Sequence, residues 1–277
     1  MLLHSEDFAQ RNNIKFTTNN DPKKSKSKAM YITRVKSESS PLPLVLCGKN
    51  LPWMDNLEHL GHTLANTFSM DLDCRRKRTE FIDSSVKTRE FFEFAHPCEV
   101  VSAMEKYSCS FYGSNLWNLR GEAAESVYAS WRTSVKLAWN LPRNCHSYFI
   151  DALLATDTLA PKVGLLLRFH RFFHSLLASP SHEVTVVARL VARDLRSTTG
   201  ANLASLQLET GLDPWLYGGH RLRDSLTASN RAMVPEGEEW RIQYLQSLLT
   251  LRMESFYEGN IELESHYDEL IQSLVTN

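Results

Sequence analysis

Four lysines fall within six residues, Lys23, Lys24, Lys26 and Lys28, and Arg34 and Lys36 extend the row. Such a row can follow a phosphate backbone, each contact releasing condensed counterions. A solvated turn has the same composition, and the lysines alone do not separate the two readings. Four more basic residues, Arg75-Arg76-Lys77-Arg78, stand at the start of a helical pattern. Consecutive helical side chains occupy all faces, so the four cannot all touch one phosphate chain, and cations at a helix start oppose its dipole. A nucleic-acid or nuclear-localisation patch and a solvated helix start both remain open. Between the two clusters lies Leu57-Glu58-His59-Leu60-Gly61-His62. Gly61, with no side chain, would let backbone come close to a sugar-phosphate chain, or it simply bends a strand. His59 and His62 alternate poorly for a shared metal and no third ligand lies nearby, so no zinc is expected there.

Elsewhere the chemistry thins out. His170-Arg171-Phe172-Phe173-His174 has the one-turn histidine spacing of a zinc protease, but Arg171 stands in the region where the general base would be and would repel a metal. Both histidines read as helix-surface residues. Cys145-His146 needs a third group from elsewhere to act as a nucleophile pair. No Gly-x-Ser-x-Gly, P-loop, G-x-G-x-x-G or EF-hand pattern is present. The chain offers no self-contained catalytic constellation, and no cofactor is expected in it. The aromatic run Phe111-Tyr112, Trp117, Trp131, Trp139 and Tyr148 could stack bases or fill a helical core.

Composition bounds the class. A hydrophobic share of 43% and a charged share of 23% over 277 residues are those of a folded protein with a sizeable core. The net charge of -1 hides an asymmetry: Met1–Ala95 holds 15 Lys+Arg against 12 Asp+Glu, and Glu236–Asn277 two arginines against nine acids. A polyanion partner would therefore meet the N-terminal half. Five cysteines without a C-x-x-C argue against a disulfide framework or a thiolate zinc knuckle. His4, Glu6 and Asp7 do not suit a signal peptide, and no apolar run approaches the roughly 18 residues that span a bilayer. The expectation is an intracellular protein, nuclear or cytoplasmic, neither secreted nor membrane-bound.

The elements that must position these residues follow from periodicity and breakers. A helix starts at the N-terminus and ends at Asn12-Asn13; strands are expected at 14–17, 28–33, 43–47 and 57–64, with a loose linker from Lys36 to Pro41. Asp71 or Asp73 opens a helix to about Phe94, and Pro97 begins another through Phe111. Further helices are expected at 118–139, 146–155, 161–178, 182–194, 201–209 and 236–258. This is an α+β arrangement: a small antiparallel sheet, then almost pure helix. The natural cut falls near residue 95, giving segments 1–95 and 96–277.

The order of strand, Asn20-Asp21-Pro22, lysine-dense turn, strand and Leu60-Gly61 hairpin resembles the end of the palm in reverse transcriptases of the non-LTR retrotransposon type. The downstream stretches Tyr112-Gly113-Ser114-Asn115-Leu116-Trp117, Leu141-Pro142-Arg143-Asn144-Cys145-His146 and Asp194-Leu195-Arg196-Ser197-Thr198-Thr199-Gly200-Ala201-Asn202-Leu203 resemble the helical region that follows it. Their shared order carries the likeness as far as about residue 210. The resemblance implies a partial polymerase palm in 1–95 and a helical thumb with its extension in 96–277. It makes Lys24 and Lys26 the matched lysines beside an incoming nucleotide, and places His59 and Gly61 in the hairpin that grips the primer end. Polymerases of this family hold magnesium on paired carboxylates, which the resemblance puts upstream of Met1; no Asp-Asp occurs in the chain. It is therefore expected to be inactive alone, with weak affinity for RNA or DNA backbone through Lys23, Lys24, Lys26, Lys28, His59, Gly61, Arg75, Arg76 and Lys77. The alternative is a helical protein–protein interaction module, with the acidic region around Glu254, Glu258, Glu262 and Glu264 as its surface.

Overall fold

A computed structural model describes residues 2–18, 21, 25–32, 42–67, 69–154, 161–217, 219–231 and 235–276. Lys23, Lys24, Arg34, Lys36 and the linker to Pro41 lie outside the described residues. The chain divides into two compact units, Met1–Arg76 and Lys77–Asn277. The division falls inside a helix, whereas the cut read near residue 95 falls just past that helix's end. The architecture is α+β, with its antiparallel pairing near the N-terminus and helices throughout the rest.

In the first unit, α1 (Leu2–Arg11) ends as its asparagines dictate. Asn12 bonds back to the Phe8 carbonyl at 2.8 Å and Asn13 takes a left-handed φ of 53°. Two short hairpins follow: β1 (Val45–Leu46) with β2 (Lys49–Asn50), and β3 (Asn56–His59) with β4 (His62–Ala65). Each turns on an X-Gly pair, Cys47-Gly48 and Leu60-Gly61, with positive φ at both residues. That is the type I′ geometry, whose twist matches antiparallel strands. The strand expected at 14–17 does not form; the Thr17 carbonyl accepts single bonds from the Ser27 N–H and the Ser25 hydroxyl, not a ladder. The one expected at 28–33 shrinks, among its described residues, to a single parallel bridge between Ala29 and Trp53. A β-branched or aromatic run reads as a strand only where a neighbouring segment supplies a ladder, and among the described residues none does here.

The helical unit contains most of α2 (Asp71–Phe91), then α3 (Pro97–Tyr107), a 3-10 turn (Ser114–Leu116), α4 (Glu122–Ala138), α5 (Ser147–Leu154), α6 (Pro161–Leu177) and α7 (His182–Arg193). It closes with α8 (Thr198–Thr210), α9 (Gly219–Arg231), α10 (Glu239–Tyr257) and α11 (Ile261–Thr276). Pro97 sits in the first turn of α3, where its missing N–H costs nothing. Ser181 and Ser197 cap α7 and α8 by accepting from Val184 and Gly200. Two helices were not anticipated from the sequence. Gly219 begins α9 instead of marking only a boundary. The acidic stretch from Glu254 to Glu264 spans two helices, because Gly259 adopts a φ of 70° and turns the chain back.

Helix α6 lies at the centre of this unit, against the 3-10 turn, α7, α8 and α9, with Leu165, Leu166, Phe169 and Phe173 fully buried. Phe111, Trp117, Trp131 and Trp139 are buried too, with Phe111 between Phe81 and Trp117 at ring separations of 5.7 and 6.0 Å. These aromatics are core, and of the run only Tyr112 is well exposed. Among the described residues no helix is long and apolar enough to cross a membrane.

Candidate nucleic-acid interface

The β3–β4 hairpin is too short to stand by its own ladder. A carboxylate anchors it. Asp73, in the first turn of α2, is 0% exposed and accepts the Thr63 backbone N–H at 2.8 Å. Arg76 donates to the same carboxylate at 3.2 Å, and His62 Nδ1 stands 3.6 Å from its other oxygen. The guanidinium then reaches on, Nε to Thr63 Oγ1 at 2.8 Å and Nη2 to the Gly61 carbonyl at 2.5 Å. Asp73 and Asp71 also supply negative charge at the helix start, where the dipole favours it and which offsets the basic run behind them. Beneath them Cys74 is buried, and burial, with Asp71 and Asp73 adding to it, pushes its thiol up to about 12.

The cluster brings together some of the residues singled out by sequence and separates others. Gly61 and Arg76 are in direct contact, but Arg76 serves the hairpin turn, with its side chain 28% exposed. His59 is exposed and faces His62 across the last pair before the turn. Arg75 is exposed on α2. Lys77 pairs with Glu80 at 2.7 Å, which spends its charge locally. Lys26 and Lys28 are exposed and make no ion pair among the described residues. The neighbouring Ala29 donates to the Pro52 carbonyl and accepts from Met54 N–H, at 3.0 and 2.8 Å. This fixes the lysine-bearing segment beside the entry to β3, with the Leu60-Gly61 turn at the far end of the hairpin, about 10–15 Å away at strand rise.

Sequence reasoning missed Asp73 as an anchor and read it only as a helix-opening acid. A carboxylate three residues before an arginine, following a hairpin with a threonine, was the available signal. The histidine pair also differs from expectation. His170 is 3% exposed, not on the helix surface, and both His170 Nε2 and His174 Nε2 lie at 3.1 and 3.0 Å from the Pro214 carbonyl. Both rings must therefore carry the Nε2 proton and donate it. Burial, and then the neighbouring His174, hold His170 below the usual histidine range.

The Asp194–Leu203 stretch has a structural role. Asn202 is fully buried, accepts the Leu119 N–H at 3.0 Å and donates to the Trp117 carbonyl at 2.9 Å, joining α8 to the segment after the 3-10 turn. A Cβ on Gly200 would stand 2.3 Å from the Asp194 carbonyl oxygen, so only glycine fits there. Among the described residues no three His, Cys, Asp or Glu side chains gather as a metal set. No protein-family model, curated protein or solved structure matches the chain.

Proposed function

We propose that this chain is the C-terminal region of an RNA-directed DNA polymerase of the non-LTR retrotransposon type, and that its first unit holds a nucleic-acid strand by the backbone. The observation that carries the reading is the pinned β3–β4 hairpin beside Lys26 and Lys28, exposed and without an ion pair among the described residues. Its tip at Leu60-Gly61 is exposed, with the Gly61 carbonyl held by Arg76, and Asp73 and Arg76 keep that tip in one conformation. The charge distribution supports the same reading: Met1–Arg76 carries 11 Lys+Arg against 8 Asp+Glu, and Lys77–Asn277 carries 20 against 24. A polyanion is steered to the first unit.

Phosphate contacts of this kind give affinity and register without base readout. Lys26 and Lys28, with Lys23 and Lys24, are the contacts to the strand, and Arg76 acts through the shape of the hairpin. The helical unit fills the role of thumb and extension. Anisotropy with labelled single-stranded RNA and an RNA–DNA hybrid, titrated with salt, tests this. Binding should fall steeply as salt rises, about equally across sequences. Replacing the four lysines together with alanine should lower the salt slope by roughly 0.7–0.9 per lost contact. No binding at low salt, or a slope unmoved by the quadruple variant, overturns the reading.

A further inference from the structure

The end of α2 and the turn after it carry features that a lone chain leaves unused. Phe91 and Phe94 are 82% and 78% exposed, which is unusual for two phenyl rings three residues apart. Their neighbours Arg89, Glu90, Phe92, Glu93 and Pro97 line a cleft of ≈ 450 Å³ that Leu137 and Phe256 help to close. The same short segment therefore supplies two apolar knobs and the walls of an open hole. The charges beside them are also unspent. Arg89 stands in the last turn of α2 and Glu93 in the turn beyond it, and Arg89, Glu90 and Glu93 make no ion pair among the described residues.

We propose that this segment is a self-complementary docking surface, on which a second copy of the chain seats Phe91 and Phe94 in the cleft and sets its Arg89 against Glu90 and Glu93. A two-fold axis near this segment turns Arg89 of each copy toward Glu90 and Glu93 of the other while the phenyl rings enter the facing cleft. Such an isologous contact uses one patch twice, so Arg89 of each copy finds a glutamate of the other without any further surface. The cleft volume lies within the 300–1,000 Å³ of sites that enclose small ligands, enough to receive aromatic side chains. Two rings and the cleft walls from each copy reach only the small end of protein interfaces, under about 1,200 Å² in total, so the dimer is transient. The charges of both signs favour a second copy over nucleic acid, which would be repelled by Glu90, Glu93 and Glu264. The inference stands apart from the polymerase reading.

Sedimentation velocity on the nuclease-treated full chain, from about 1 µM to about 1 mM, tests it, with a Kd of about 10–100 µM expected. Changing Phe91 and Phe94 together to serine should weaken association at least tenfold and leave the melting temperature in place, since both rings are exposed. R89E, and separately E90R with E93R, should each weaken it to a similar degree, and mixing those two variants should restore association above either alone. A chain that stays monomeric at about 1 mM overturns the proposal, as does a dimer indifferent to the phenylalanine variant. If that variant fails to fold, the charge swap decides: no gain on mixing overturns the surface as drawn.

Discussion

The two units are held together by different forces. In Lys77–Asn277 the shape comes from apolar burial: Trp117, Trp131, Phe149, Phe169 and Phe173 are removed from solvent around α6, and polar clamps such as Asn202 tie the segments that pack there. In Met1–Arg76 the ladders are two and four residues long, and the longer hairpin keeps its place through Asp73 and Arg76. The difference teaches where surface is free. A unit shaped by an apolar core commits its large side chains inward, while one shaped by a few buried polar bonds can leave cations and backbone exposed on its tips.

Breaking each unit at its own support sharpens the contrast. Trp117→Ala removes a side chain that is 1% exposed and should cost the helical unit about 3–5 kcal/mol in denaturant unfolding followed by circular dichroism. The chemical shifts of the β3–β4 hairpin should stay in place. An equal loss in both units would mean that they unfold as one.

Hydrogen exchange compares the units without mutation. Amides in 28–32, 45–50 and 57–64 should exchange at least about 100-fold faster than those of α4, because short edges open locally while a buried helix opens only with its unit. Uniform protection would show that the hairpins share the stability of the core.

Asp73→Ala should cost the first unit about 1.5–3 kcal/mol, since it strands the Thr63 N–H and the Arg76 guanidinium. Exchange should quicken in 62–65 and stay unchanged in α4. Loss of nucleic-acid affinity in this variant, with all lysines present, would identify hairpin shape as part of the grip.

The smallest effect is in acid, and it belongs to the helical unit. His170 has its folded pKa below the ordinary 6.5, through burial first and His174 second, so the folded state favours the neutral ring. The unfolded chain takes up its proton first as pH falls past 6.5, and the stability present above that value declines until the folded pKa is reached. His170→Gln should flatten this decline in thermal melts between pH 7 and 5. A slope that persists would assign it to other groups.

Much of the helical architecture was legible in the residues themselves. Helices make their bonds within a few residues, so Asn12-Asn13, Pro97, Ser181 and Ser197 mark ends that the structure keeps. The helix read to residue 258 stops where Gly259 turns the chain, but α11 beyond it was not read from the sequence. Strands were the weaker reading: 14–17 and 28–33 have the composition, but pairing is non-local and no neighbouring ladder receives them among the described residues.

The candidate site divides the same way. Charge density and Gly61 could be read directly, and Lys26 and Lys28 remain exposed as a solvent-facing row would be. Whether a cation is free or spent is decided by what folds beside it. Arg76 and Lys77 look alike in sequence, yet one closes on the hairpin turn and the other on Glu80. His170 gains its partner from Pro214, 44 residues on, and Asn202 reaches Leu119, 83 residues back. The chain by itself determined its periodicities, its breakers and the sign of each region. Only the tertiary structure decided which polar groups became supports, because a buried hydrogen bond depends on the position of residues that local sequence does not contain.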